Sequence, residues 1–208
     1  MRYSIAFCLS LICQFGFAQE SPPILDNTLP GILPSMNPKL NQELKTEILS
    51  MALEDQTARL KIINYKYFSE EERKKLSEIE ANHNLRLKEI ISAYGWPGLS
   101  LVGLTGTTSF WLLVQHQDND LEFQKQCLEL LDGAVQKQDD QLQHFAYLLD
   151  RVRKNENLPQ VYGTQWEFKD GKWLLYPVEE PENLNLRRLE AGLNSIEEYE
   201  EDLSSRRG

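Results

Sequence analysis

Apolar residues recur at helical spacing along most of this chain. Leu40, Leu44, Ile48, Met51 and Ala52 follow the period of an α-helix, and the series runs on toward Ile62 and Ile63. Asn37-Pro38 precedes it, an N-cap followed by proline at the first helical position. Ser69-Glu70-Glu71-Glu72 reads as a capping box, in which serine and glutamate satisfy two backbone amides at a helix start. Leu76, Ile79, His83, Leu87, Ile90 and Tyr94 line one face of the helix that follows, and Gly95-Trp96-Pro97 stops it. These two helices predict an antiparallel hairpin over residues 39–94.

The glycines at 98, 103 and 106 predict a tight loop from Gly98 to Thr108, and Thr107 or Thr108 is placed to cap a short helix from Ser109 to Gln117. Asp118 or Asp120 can cap the next, striped by Phe123, Cys127, Leu130, Leu131 and Ala134. Asp139 or Asp140 starts another, with Leu142, Phe145, Ala146, Leu149 and Val152 inward. After Pro159 the period changes. Val161–Phe168 and Lys172–Val178 flank Asp170-Gly171, a dipeptide suited to a type I′ turn, and predict a β-hairpin. Asn183 can cap a helix through Arg187 and Arg188 that ends at Gly192, and Ser195-Ile196-Glu197-Glu198 is a second capping box for an acidic last helix. The expected fold class is mainly α with a small β-hairpin. An N-terminal helical hairpin packs on a helical domain, residues 95–208, that carries one two-stranded antiparallel hairpin.

The segment before these helices has its own character. Arg2, an apolar run from Ile5 to Cys13, and Gly16-Phe17-Ala18 have the three-part layout of a signal peptide, residues 1–18. The run is about half the ~20 residues that span a bilayer, so no stable membrane anchor is expected after cleavage. Residues 19–38 carry five of the nine prolines and predict an extended Pro-rich linker. The expected location is therefore periplasmic or extracellular. Cleavage removes Cys8 and Cys13 and leaves Cys127 alone, so a disulfide or a cysteine-based zinc site is not expected. A net charge of −10 argues against nucleic acid, which needs a basic surface to displace counterions.

Several short motifs recur in a known order. They are Gly95-Trp96-Pro97 with Ser100, Val102 and Gly103; Trp111-Leu112-Leu113-Val114-Gln115-His116-Gln117-Asp118; Ala146-Tyr147-Leu148-Leu149-Asp150-Arg151; Tyr162-Gly163-Thr164-Gln165; and Pro177 through Arg187-Arg188 to Gly192-Leu193. In this order and spacing, residues 94–202 resemble an uncharacterised bacterial family, the domain of unknown function numbered 6624. Glu180 and Asn185 depart from it, standing where aspartate is common. The resemblance implies that these polar positions belong to a shared pattern, and it carries no activity.

The residues themselves suggest a chemistry. His116 can act as a base, an acid or a ligand near neutral pH and is the candidate catalytic group, with Asp150 to orient it. Gln115, Arg151, Tyr162, Thr164, Gln165 and Arg187 are the candidate ligand-binding residues, with Arg151 suited to an anionic group. One reading gathers them into a pocket that binds or hydrolyses a small polar or anionic ligand, with His116 as general base if the protein is an enzyme. The other makes the chain a non-enzymatic interaction module that meets a protein partner through the 39–94 hairpin, the polar motifs bracing the fold. No cofactor is expected. A metal site built from His116, Asp118, His144 and Asp150 is disfavoured because residues at i and i+2 on a helix diverge. The chain has no Gly-x-Ser-x-Gly elbow, and Cys127 falls on a core stripe, which argues against nucleophilic catalysis. The absence of a P-loop lysine pattern in the glycine-rich segment argues against a nucleotide site.

Overall fold

The computed structural model describes residues 40–64 and 69–205. The expected signal peptide, the Pro-rich linker and the Asn37-Pro38 cap lie outside them. Helix α1 (Gln42–Asn64) begins with Asn41, whose side-chain oxygen accepts from the Leu44 N–H at 3.0 Å. Helix α2 (Glu70–Tyr94) starts on the capping box, with both reciprocal bonds between Ser69 and Glu72 formed. Helices α3 (Leu99–Gln115), α4 (Leu121–Gln136) and α5 (Leu142–Asn155) follow, then strands β1 (Trp166–Lys169) and β2 (Lys172–Leu175). A 3-10 turn at Pro181–Asn183 leads into α6 (Leu184–Glu190), and α7 (Ile196–Ser205) ends the described chain. The fold is mainly α with one small antiparallel hairpin.

The main core is a layer of helices. Helix α1 packs most extensively on α3, and α4 on α5. Leu44, Ile48, Met51 and Ala52 of α1 meet Leu87, Ile90 and Ile91 of α2, and Phe110, Trp111 and Val114 of α3, in one cluster. Cys127 and Leu131 of α4, with Tyr147 and Leu148 of α5, complete it. The hairpin helices and those after residue 95 thus share a single apolar interior. Only the second half of α2 enters it; the first half buries Ile79 and His83, half-buries Leu76 and is mostly polar.

The segment Gly98–Thr108, expected as a loop, is helical from Leu99 onward. Its cap comes from elsewhere in the chain. The Leu99 N–H donates to the Asp139 carbonyl at 2.8 Å, and Asp139 Oδ1 accepts from the Ser100 N–H at 2.7 Å. A distant carboxylate does what local spacing could not reveal. Gly103 interrupts α3 with φ 70° and ψ 174°, a conformation open to glycine alone.

The β-hairpin is shorter than expected. Trp166 pairs with Leu175 and Lys169 with Lys172, and both turn residues, Asp170 and Gly171, have positive φ as type I′ demands. Residues 160–165 are held in a loop instead of extending β1. Asn183 makes no side-chain cap; the 3-10 turn delivers the chain to α6. The Ser195 capping box does form, its N–H donating to Glu198 Oε2 and its hydroxyl accepting from the Glu198 N–H. Trp166, Tyr199 and Leu203 form a second, small core between the hairpin and α7.

Candidate functional site

The polar residues singled out above lie in three groups around the main core. The first sits where α3 ends. His116 follows the last turn of α3 and points its Nδ1 at Asp55 Oδ2 of α1, 2.7 Å away, both side chains 2% exposed. Arg59 Nε donates to the same carboxylate at 3.0 Å, and Arg59 Nη2 reaches Glu80 of α2 at 2.6 Å. Burial pushes the Asp55 carboxyl upward, but His116 and Arg59 outweigh it and hold it well below the usual carboxylate range. An ionised Asp55 can only accept, so His116 Nδ1 carries the hydrogen. The imidazole is oriented as a general base would be, yet His116 is only 4% exposed.

The second group brackets the turn after α3. Arg151 of α5 grips Asp118 with Nε and Nη2, a two-point pairing, and Asn155 adds a bond at 3.0 Å. The Asp118 carboxyl, raised by burial, is lowered by more through Arg151 and lies well below its ordinary value. Lys154, one turn along, is lowered to about 8 by burial and then by the neighbouring Arg151. Gln115 is fully buried; its carboxamide oxygen, turned toward donors, accepts from the Leu148 N–H at 2.9 Å. Gln124 Nε2 closes the end of α3 by donating to the Val114 carbonyl.

The third group is the loop before β1. Asp150, fully buried on α5, accepts from the Val161, Tyr162 and Thr164 N–H groups and from the Thr164 hydroxyl, at 2.7 to 3.0 Å. Burial raises its carboxyl, and the amide bonds only partly pull it back. Gln165 Nε2 donates to Thr164 Oγ1, while the buried Gln165 Oε1 has no hydrogen-bond partner among the described residues. Tyr162 is half-buried, its phenol raised by burial and then by Asp150. Arg187 donates to the carbonyls of Val161, Glu179 and Glu180, and Arg188 to those of Tyr162 and Asn194.

The geometry thus brings Asp150, Tyr162, Thr164, Gln165 and Arg187 together at one loop. It joins His116 to Asp55, and Arg151 to Asp118. Among the described residues no three His, Cys, Asp or Glu side chains gather as a metal would need. Cys127 is buried and burial pushes its thiol upward, which suits packing rather than reaction.

Sequence reasoning missed Asp55, Arg59 and Gln160. A signal for the first two existed: both charges fall on the buried stripe of α1 that contains Ile48 and Ala52. It also missed a second buried dyad. His144 Nδ1 donates to Asp140 Oδ1, and Asp140 Oδ2 accepts from Trp96 Nε1 at 2.6 Å and Thr107 Oγ1 at 2.9 Å. The spacing of Asp140 and His144 at i, i+4 was the available clue.

A groove opens on the helical hairpin. It lies between α1 and the first half of α2 and has a volume of about 470 Å³. Leu53 and Ala58 of α1 face Leu76 and Ile79 of α2 across it, with Ser50, Glu54, Thr57, Glu72 and Lys75 at its edges. Leu53 is 62% exposed.

The fold and its polar braces define a helical domain in which a β-hairpin is tied to the last core helix through a buried aspartate. Residues 42–208 match the model of the Family of unknown function (DUF6624), and the chain belongs to that family. The match takes in the helical hairpin as well as everything after it. Comparison with curated proteins and with solved structures returns no match. No helix of the described residues is long and apolar enough to cross a membrane.

Proposed function

We propose that this chain is an exported, non-enzymatic module that binds a protein partner through the groove on its helical hairpin. The observation that supports this reading is the groove itself, which joins the strongly exposed Leu53 to Leu76 and Ile79. An exposed apolar residue continuous with a concavity is what a docking surface offers and what a finished core avoids. The residues suited to small-ligand chemistry are employed inward. Arg151 spends two donors on Asp118, Asp150 takes three backbone amides, and Arg187 holds three carbonyls. A ligand pocket around His116 would have to break these bonds before it could use them, at about 1–3 kcal/mol for each buried group left unpaired. Export rests on the layout of residues 1–18.

The test places a photo-reactive phenylalanine analogue at Leu53, and separately at Leu186, which is equally exposed on α6. Illumination in the periplasmic fraction is expected to yield a discrete adduct from position 53 and none from 186. No adduct at 53, or the same adducts from both positions, overturns the reading.

A further inference from the structure

The geometry points to Lys154 as a modification site, an amine that condenses with a small aldehyde to form an imine. The site is built on α5 and the β-hairpin, neither of which lines the hairpin groove, so it stands apart from the proposed function. Lys154 is in the last turn of α5, three residues after Arg151, which puts the two cationic side chains on one helix face. Its Nζ stands 5.8 Å from the centroid of the Tyr176 ring, just after β2. Asp118 and Glu167 of β1 bring negative charge to the same junction. Asp118 is already gripped by Arg151 through Nε and Nη2 and by Asn155.

A half-buried amine beside a guanidinium and an aromatic face is in surroundings that favour its neutral form. Burial first, and Arg151 second, bring Lys154 down to about 8 against the pull of Asp118 and Glu167. The Tyr176 ring, near the outer limit of cation–π range, offsets little of this. Other lysines are placed differently. Lys88 Nζ reaches Asp120 Oδ2 at 2.5 Å, and Lys125 Nζ reaches Glu156 Oε1 at 3.1 Å, a bond that raises Lys125. At pH 7 an amine titrating near 8 holds roughly 200 times more neutral form than an ordinary lysine. The neutral Nζ adds its lone pair to the carbonyl carbon, and the carbonyl oxygen takes up a proton. Departure of that oxygen as water, with the second N–H proton, leaves the C=N bond. Amine and aldehyde thus give imine and water, with no oxidant or reductant. The Tyr176 ring forms an apolar wall beside the amine, which suits a short alkyl chain.

The experiment treats the full chain with butyraldehyde and cyanoborohydride, which reduces the imine to a stable secondary amine. Mass spectrometry of the peptides then follows each lysine over time. A less basic, half-buried amine gives back part of its advantage, so at pH 7 Lys154 is expected to label about tenfold faster than Lys88 and Lys125. Near pH 9.5 the lead should vanish, because ordinary lysines then lose protons too. Glu167→Gln removes a charge that favours the ammonium and should quicken Lys154 about threefold, with Lys88 and Lys125 unchanged. Local unfolding would not imitate that gain, since a lysine released to water returns to ordinary behaviour. Equal rates for the three lysines at pH 7 overturn the site. So does a lead that persists near pH 9.5, which would mark access to the reagent alone, and so does Glu167→Gln without acceleration at Lys154.

Discussion

The main core and the C-terminal lobe are held by different forces. From α1 to α5, large apolar side chains interlock in one cluster, with Trp111, Leu131 and Leu148 fully buried. The lobe of β1, β2, α6 and α7 has a smaller cluster, Trp166, Tyr199 and Leu203, with Trp173, Leu175 and Ile196 packed against it. Directed bonds run from α5 to the lobe: Asp150 takes the loop amides, Arg153 holds Glu179 and the Pro159 carbonyl, and Gln143 donates to the Gly192 carbonyl, while Arg187 and Arg188 tie α6 to the loop and turn. A cluster this small cannot offset the entropy of ordering so many residues, so directed bonds must supply the rest. An apolar core loses stability in proportion to what is removed, whereas a hub of hydrogen bonds fails as a unit.

The largest effect is expected at Trp111. Its ring stacks on His144 with centroids 4.5 Å apart, and its Nε1 donates to the His144 carbonyl at 2.8 Å. Trp111→Ala opens a cavity where α3 meets α5 and should cost about 3–5 kcal/mol. The loss should be global. Urea unfolding ought to stay a single transition with a lower midpoint, and amide exchange should accelerate in α1 to α5 together. Faster exchange confined to the lobe would contradict the assignment of Trp111 to a shared core.

Asp150→Ala comes next, at about 3 kcal/mol, since three amides and a hydroxyl lose their acceptor inside the protein. Here the loss should be local. Amides of β1, β2 and α7 should exchange faster while those of α3 and α4 keep their protection, and Trp173 should report the change before Trp96 does. Uniform loss across the molecule would sink the claim that the lobe hangs on this residue.

The same division explains what could be read before the fold was known. Helices α1, α2, α4 and α5 were legible because their buried residues recur at helical spacing, and Ser69 and Ser195 marked helix starts because a capping box is a local device. Asp170-Gly171 marked the turn for the same reason. The start of α3 was not legible, because its cap is Asp139, 39 residues away along the chain. The start of β1 was lost similarly: Val161 and Tyr162 look like strand, but Asp150 claims their amides. For the candidate site, the residue types were found and their partners were not. His116 stood out for its chemistry, yet nothing near it in the sequence named Asp55, 61 residues earlier. Periodicity reports which face is buried; it does not report which carboxylate a buried donor will meet.

Acid titration should separate the two regions by sign, with the smallest effects near neutrality. The Asp55 carboxyl lies below its unfolded value because His116 and Arg59 favour the charge over the opposing burial. Its contribution is therefore complete above about pH 4 and is lost as pH falls further toward the depressed folded value. Asp150 is shifted the other way, with burial outweighing its amide bonds. Its charge costs stability above the raised folded value, and that cost is relieved as pH falls through it toward the unfolded one. Urea midpoints for the parent, Asp55→Asn and Asp150→Asn at pH 7, 5 and 3 would read both. The deficit of Asp55→Asn should hold constant from pH 7 to 5 and shrink at pH 3, where the unfolded parent takes up a proton at this group while the folded parent stays ionised. The deficit of Asp150→Asn should grow as the pH is lowered from 7 to 3, because only the parent sheds a buried charge. Parallel trends in the two variants would mean that one electrostatic environment serves both regions, and the contrast between an apolar core and a polar-tied lobe would fail at the residue meant to tie them.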